Sequence, residues 1–172
     1  MGWGSQPVAA AFASEAPWTR NVTCLILRLA PPATPEGGKV TIREMLETHP
    51  QPASRDRDVV VRCIEACIDC AAACTSCADA DLGERDLREL VRCIRLCLDC
   101  ADQCESTGRI VTRQTASDVG VVRAAVEACV VACSACRKEC ERHAEHHEHC
   151  RICAQVCSRC EQACNDLLES IG

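Results

Sequence analysis

A chain of 172 residues is long enough to bury one core, and with a net charge of −6 and no basic block it is not expected to bind nucleic acid or an anionic membrane. Its aromatic residues, Trp3, Phe12 and Trp18, all lie near the N-terminus, and cysteine, at 19 residues, takes their place in the rest of the chain. Such density usually marks a short secreted disulfide scaffold, but the Gly/Pro-rich loops that scaffold needs between its cysteines are missing.

Residues 1–39 are rich in Ala, Pro and Gly without apolar periodicity, and read as a disordered extension. They carry no basic n-region, and the apolar run Cys24-Leu25-Ile26-Leu27 is too short for a signal core or a membrane span. A reducing, cytoplasmic setting is therefore expected, where cysteine-rich patterns point to metal or redox chemistry. In a bacterial gene Glu36-Gly37-Gly38 can be encoded by a ribosome-binding sequence and Val40 by an alternative start codon, so the extension is expected to reflect a mis-called start, with the domain proper at 40–172.

The stretch from Val40 to Thr48 places Ile42, Met45 and Leu46 on one face, which predicts a short amphipathic helix stopped at His49-Pro50, with His49 as its cap. Ser54 is a candidate N-cap for the first long helix. Four long helical segments are predicted at 55–81, 84–113, 117–143 and 147–171, broken at Gly83, at Thr115–Asp118 and in the His-rich stretch, with Ser117 as the N-cap of the third. Each would run roughly 38 Å. Similar lengths and short turns predict an all-α, up-down-up-down antiparallel four-helix bundle preceded by the short helix.

The cysteines follow one rule. In the first long segment Cys63, Cys67, Cys70, Cys74 and Cys77 step by four and three; the second repeats this with Cys93, Cys97, Cys100 and Cys104. The third carries Cys129, Cys133, Cys136 and Cys140, and the fourth Cys150, Cys153, Cys157, Cys160 and Cys164. All 18 fit the inward seam of a bundle, and Cys24 alone falls outside it. The seam continues backward through Val122 and Val126, and through Leu90 in the second segment, which predicts an aliphatic plug at one end. Forward from Cys140 the same period reaches His143, so imidazoles are expected at the other end, near Cys77 and Cys93.

Cysteine as an ordinary small core residue would pack so long a seam poorly, and neighbours on one helix face do not aim at each other as a disulfide requires. Metal binding remains. Sulfurs at i and i+4 have Cβ atoms about 5–6 Å apart, and two metal–thiolate bonds of roughly 2.3 Å span about 4.6 Å in a line, so a two-coordinate ion is expected between successive cysteines. Cu(I) accepts two or three soft ligands, whereas Zn(II) needs four converging from two or more helices. A monovalent ion at about one per thiolate also neutralises a seam that carries no Lys or Arg, while isolated four-cysteine zinc sites would each leave two negative charges inside.

These residues resemble the cytosolic branch of the copper storage proteins, the cysteine-lined four-helix bundles, over about residues 40–172. The resemblance rests on the Cys63-to-Cys77 and Cys93-to-Cys104 runs and on the stretch His143-Ala-Glu-His-His-Glu-His149-Cys-Arg-Ile-Cys153. It implies a core filled with many Cu(I) ions, mouth roles for His143, His147 and His149, and assembly as a tetramer. His146 is the weakest of the histidines, and Glu145 and Glu148 are expected in solvent near a helix start. Expected partners are copper ions, other copies of the chain, and a copper chaperone or a thiol that exchanges the metal.

Catalysis is not expected. A di-iron oxidase needs paired Glu-x-x-His motifs, and no Glu is followed by His three residues later. A thiol–disulfide enzyme uses one exposed pair rather than 18 equivalent positions, and iron–sulfur clusters use irregular loops rather than straight helices. A multi-site zinc reservoir or thiol redox buffer is the alternative.

Overall fold

The computed structural model describes residues 41–51 and 56–171. The readings of the extension, its three aromatic residues, Cys24 and Ser54 lie outside them.

Five helices are arranged in order: α1 (Ile42–Glu47), α2 (Arg57–Leu82), α3 (Leu87–Thr112), α4 (Val119–His143) and α5 (Glu148–Ser170). Each long helix falls within a turn or so of its predicted span. The caps differ in detail. Asp56 starts α2, its carboxylate accepting from the Asp58 amide at 2.9 Å. At α4 Asp118 takes the place expected of Ser117, its Oδ1 accepting from the Val121 amide at 2.9 Å. A carboxylate also suits the positive end of the helix dipole better than a hydroxyl does. Thr48, not His49, ends α1. His49 instead stiffens the next turn, its Nδ1 accepting from the Gln51 amide at 3.1 Å and its Nε2 lying 3.4 Å from Thr115 Oγ1.

Helices α2 to α5 pack in a closed ring, each against its two neighbours, and α1 lies on α2. The up-down-up-down order is written in the sulfur contacts. Cys63 near the start of α2 meets Cys164 near the end of α5, and Cys77 near the end of α2 meets Cys150 at the start of α5. Likewise Cys93 meets Cys140, and Cys104 meets Cys129. The α4 helix is long and apolar enough to cross a membrane by length and composition, yet its cysteines are wholly buried inside this ring.

Aliphatic side chains close one end: Val60, Val61, Val111, Val122, Val126 and Leu167 are buried there beyond the last cysteines, with Ile64 beside Cys63. Leu90 does not belong to that plug. It precedes Cys93 on α3, which runs opposite to α4, so it is buried at the histidine end. Gly108 lets α3 approach α2 just inside the plug, because a Cβ there would lie 3.3 Å from Cys67 Cβ. In α1, Leu46 is buried and Ile42 partly so, but Met45 is 64% exposed and stands outside the expected apolar face.

Candidate metal centre

Steps of three and four average 3.5 residues, close to the helical period, so each helix holds its cysteines on one inward line. Seventeen of the 18 are 0% exposed and Cys77 is 2% exposed. All are free thiols.

Their sulfurs form a continuous network along the bundle axis. Cys74 touches Cys157 at 3.5 Å, Cys153 at 3.7 Å and Cys136 at 3.9 Å. Pairs at i,i+4 are equally close: Cys70–Cys74 at 3.8 Å, Cys100–Cys104 at 3.9 Å, Cys129–Cys133 and Cys136–Cys140 at 4.0 Å. These separations fall short of the roughly 4.6 Å of a linear two-thiolate ion. Bonds of about 2.3 Å give edges near 4.0 Å for a triangle and near 3.8 Å for a tetrahedron, and it is these holes that the sulfurs outline.

Groups of four sulfurs lie within 4.8 Å of one another along the bundle. One nest, Cys70 with Cys104, Cys133 and Cys160, draws a sulfur from each long helix. Successive nests share members, since Cys70, Cys74, Cys157 and Cys160 each belong to at least two. Shared sulfurs make a bridged array rather than separate sites. Convergence of sulfurs from two or more helices, which the sequence reading set as zinc's requirement, is present in these nests, so shape alone does not disfavour zinc.

Charge does. Among the described residues no Lys or Arg is buried, and the buried acids are Asp81 and Glu139. Nothing in the core compensates thiolate charge before a metal arrives. Cys74 is pushed far up from the ordinary thiol range by hydrogen bonding led by Cys100, with burial acting the same way; Cys140 is pushed up likewise, led by Cys136. Others, such as Cys70 and Cys153, are pulled down by the hydrogen bonds they receive from neighbouring sulfurs, so raised and lowered thiols alternate through the core, and each thiol that enters neutral gives up one proton when it binds metal.

At the α4–α5 turn the three expected histidines stand in different places. His149 reaches the sulfurs: its Nδ1 is 3.5 Å from Cys150 Sγ, 3.6 Å from Cys77 Sγ and 3.6 Å from Asp81 Oδ1. His147 is tied outward, its Nδ1 3.1 Å from Glu84 Oε1. His143 sits beside Glu139, its buried Nε2 3.5 Å from Oε1 without a hydrogen bond, and its ring is 6.4 Å from that of His147. His146 is exposed, as are Glu145 and Glu148, the latter paired with Arg151.

Three carboxylates at this end of the bundle escape the sequence reading. Asp81 is wholly buried, 3.5 Å from Cys150 Sγ, and its Oδ2 has no hydrogen-bond partner. Burial pushes its carboxyl up to about 6. The seam period carries a signal for it, because four residues beyond Cys77 is Asp81. Glu84, in the α2–α3 turn, has no such signal, nor has Glu139, which sits one residue off the seam and is held by Arg92 at 3.0 Å and Arg142 at 3.3 Å.

Four antiparallel helices lined with bridging-distance thiols, opening on imidazoles and carboxylates at one end, define a bundle built to sequester soft metal ions at many sites. Residues 56–169 match the family model for copper storage protein, and the chain belongs to that family; its function is copper storage. It is similar to the copper storage protein Ccsp from Streptomyces lividans loaded with 10 copper equivalents, at 48% identity and TM-score 0.75, with 76% of this chain and 99% of that chain covered. A five-copper structure from the same organism, of a cytosolic copper storage protein, is 50% identical with TM-score 0.66, covering 67% and 96%. A Ccsp variant with two histidines replaced by alanine matches at 50% identity and TM-score 0.66, over 67% and 97%. Comparison with curated proteins gives no match.

Proposed function

We propose that this chain stores copper as Cu(I) in the cytoplasm, that the 18 seam cysteines are its ligands, and that His143, His147 and His149 serve the mouth through which ions pass. The observation that carries this reading is the sharing of sulfurs between neighbouring nests. A thiolate that bridges two ions lets a monovalent metal approach one ion per sulfur, which neutralises a core without other cations. The copper-loaded and cytosolic relatives support the metal and the compartment.

Sequestration needs no catalysis, and the buried array offers no exposed reactive pair, so the chain works as a store. Loading and unloading proceed by ligand exchange at the histidine end, with a copper chaperone or a competing thiol as the exchange partner. Exposed Val91, Val121 and Val131 on the outer helix faces suit assembly into the tetramer that the family resemblance implies.

The nests would also fit tetrahedral Zn(II), which keeps a zinc reservoir as the second reading. Competition separates the two. Reduced protein equilibrated with both metals is expected to retain copper and release zinc; retention of zinc against a Cu(I) supply would overturn the copper reading.

A further inference from the structure

Glu84 occupies the turn between α2 and α3, and one of its oxygens meets two histidines from the opposite turn. Oε1 lies 3.1 Å from His147 Nδ1 and 3.3 Å from His149 Nε2. The two rings are 5.4 Å apart, centre to centre. An ionised carboxylate only accepts hydrogen bonds, so each of those ring nitrogens must carry its proton. A neutral imidazole has one proton, which leaves the other nitrogen as the free lone pair. The consequence is opposite for the two rings: His149 is left with Nδ1, and His147 with Nε2.

For His149 that free nitrogen is the one facing the store, 3.6 Å from Cys77 Sγ and 3.5 Å from Cys150 Sγ; Asp81 Oδ1, 3.6 Å from it, makes no hydrogen bond to the ring and accepts from Cys150 Sγ instead. For His147 it is the nitrogen on the far side of the ring from the carboxylate. Glu84 itself is 38% exposed by side chain, while both histidines are about a quarter exposed, so the carboxylate braces them from the solvent side. Such a carboxylate behind a metal-binding imidazole fixes both its tautomer and its orientation.

We propose that Glu84 is a positioning residue for copper uptake, holding His147 and His149 in opposite tautomers so that the outer ring presents Nε2 and the inner ring presents Nδ1 beside Cys77 and Cys150. This rests on the copper-storage reading of the site, but its structural half can be tested without metal. Glu84 binds no ion in this scheme. Its loss slows transfer through the mouth and leaves the number of ions held inside unchanged.

The test uses the reduced, metal-free full chain and its Glu84→Ala and Glu84→Gln variants. Nitrogen-15 NMR at pH 9, where imidazole is neutral, reads the tautomer of each ring. His147 is expected as the Nδ1–H form, the minority tautomer of a free histidine side chain, and His149 as the Nε2–H form; in Glu84→Ala, His147 reverts to mainly Nε2–H. In parallel, Cu(I) uptake from a chelator is expected to slow by about tenfold in both variants, the lower end of such outer-shell effects, with the final capacity unchanged. An Nε2–H His147 in the unmodified chain overturns the proposal. So does a variant that loses capacity, which would make Glu84 a ligand, or one that loads at the original rate. If the unmodified chain takes up no Cu(I) at all, the storage reading falls and the uptake role with it, whatever the tautomers show.

Discussion

Cys74 Sγ lies 3.5 Å from Cys157 Sγ, the closest sulfur–sulfur approach among the described residues. Both residues share at least two nests, which join the middle of the core to its histidine half. Cys63, by contrast, meets Cys164 at 3.9 Å at the plugged end. Replacing Cys74 with Ala should therefore remove on the order of two ions from the capacity, and replacing Cys63 about one, because a bridging thiolate serves each nest it joins. Chelator-competed Cu(I) titration of the two variants checks this. Equal losses would contradict the bridged arrangement.

Loading should release protons. The thiols of Cys74, Cys140 and Cys160 are held neutral by hydrogen bonding to neighbouring sulfurs and by burial. About one proton should leave per neutral thiol of this kind that binds metal, so apparent Cu(I) affinity should rise with pH and fall in acid. Calorimetry in two buffers of different ionisation enthalpy counts those protons directly. A pH-independent affinity would mean the core is already ionised.

Asp81 makes the metal-free protein pH-sensitive in the opposite sense to an ordinary salt-bridged acid. Its carboxyl, at 3.8 when free, is raised to about 6 in the folded state, chiefly by burial. Between those values the folded chain holds the proton more tightly than the unfolded chain, so stability falls as pH rises from about 4 to about 6. The loss is at most about 3 kcal/mol. Asp81→Asn should abolish this slope and leave the metal-free protein more stable at pH 7, as urea denaturation across the range would show.

Close approach at Gly108 should also be measurable. A Cβ there would stand 3.3 Å from Cys67 Cβ and 3.9 Å from the Ile64 carbonyl oxygen. Alanine gains helix propensity of about 1 kcal/mol against that tight contact, so Gly108→Ala should be nearly neutral. A branched side chain has no room, and Gly108→Val should cost roughly 2 kcal/mol in thermal or urea unfolding of the metal-free protein.

Much of the fold is legible in the residue spacing. The steps of Cys63 to Cys77 and of Cys150 to Cys164 determine helix, seam and burial together, because only one face of a helix repeats every 3.5 residues. The period alone puts Leu90 at the wrong end, because it continues without regard to chain direction and α3 runs against α4. Distances between sulfurs are not readable either: the spacing suggests linear two-sulfur spans along one helix, whereas Cys70 and Cys74 also turn toward Cys100 and Cys157 on other helices. The carboxylates of Glu84 and Glu139 depend on how turns and neighbouring helices meet, which a one-dimensional pattern does not encode. Asp81 is found by carrying the seam one step past Cys77.

The most direct test of the account is the stoichiometry. Reduced protein is titrated anaerobically with Cu(I) against a Cu(I)-specific chelator, followed by metal and thiol counts. A bridged array of 18 buried thiols predicts about one ion per seam cysteine, unmatched by Zn(II). Saturation at about four or five ions, with Zn(II) competing well, would mean separate tetrahedral sites and would contradict it.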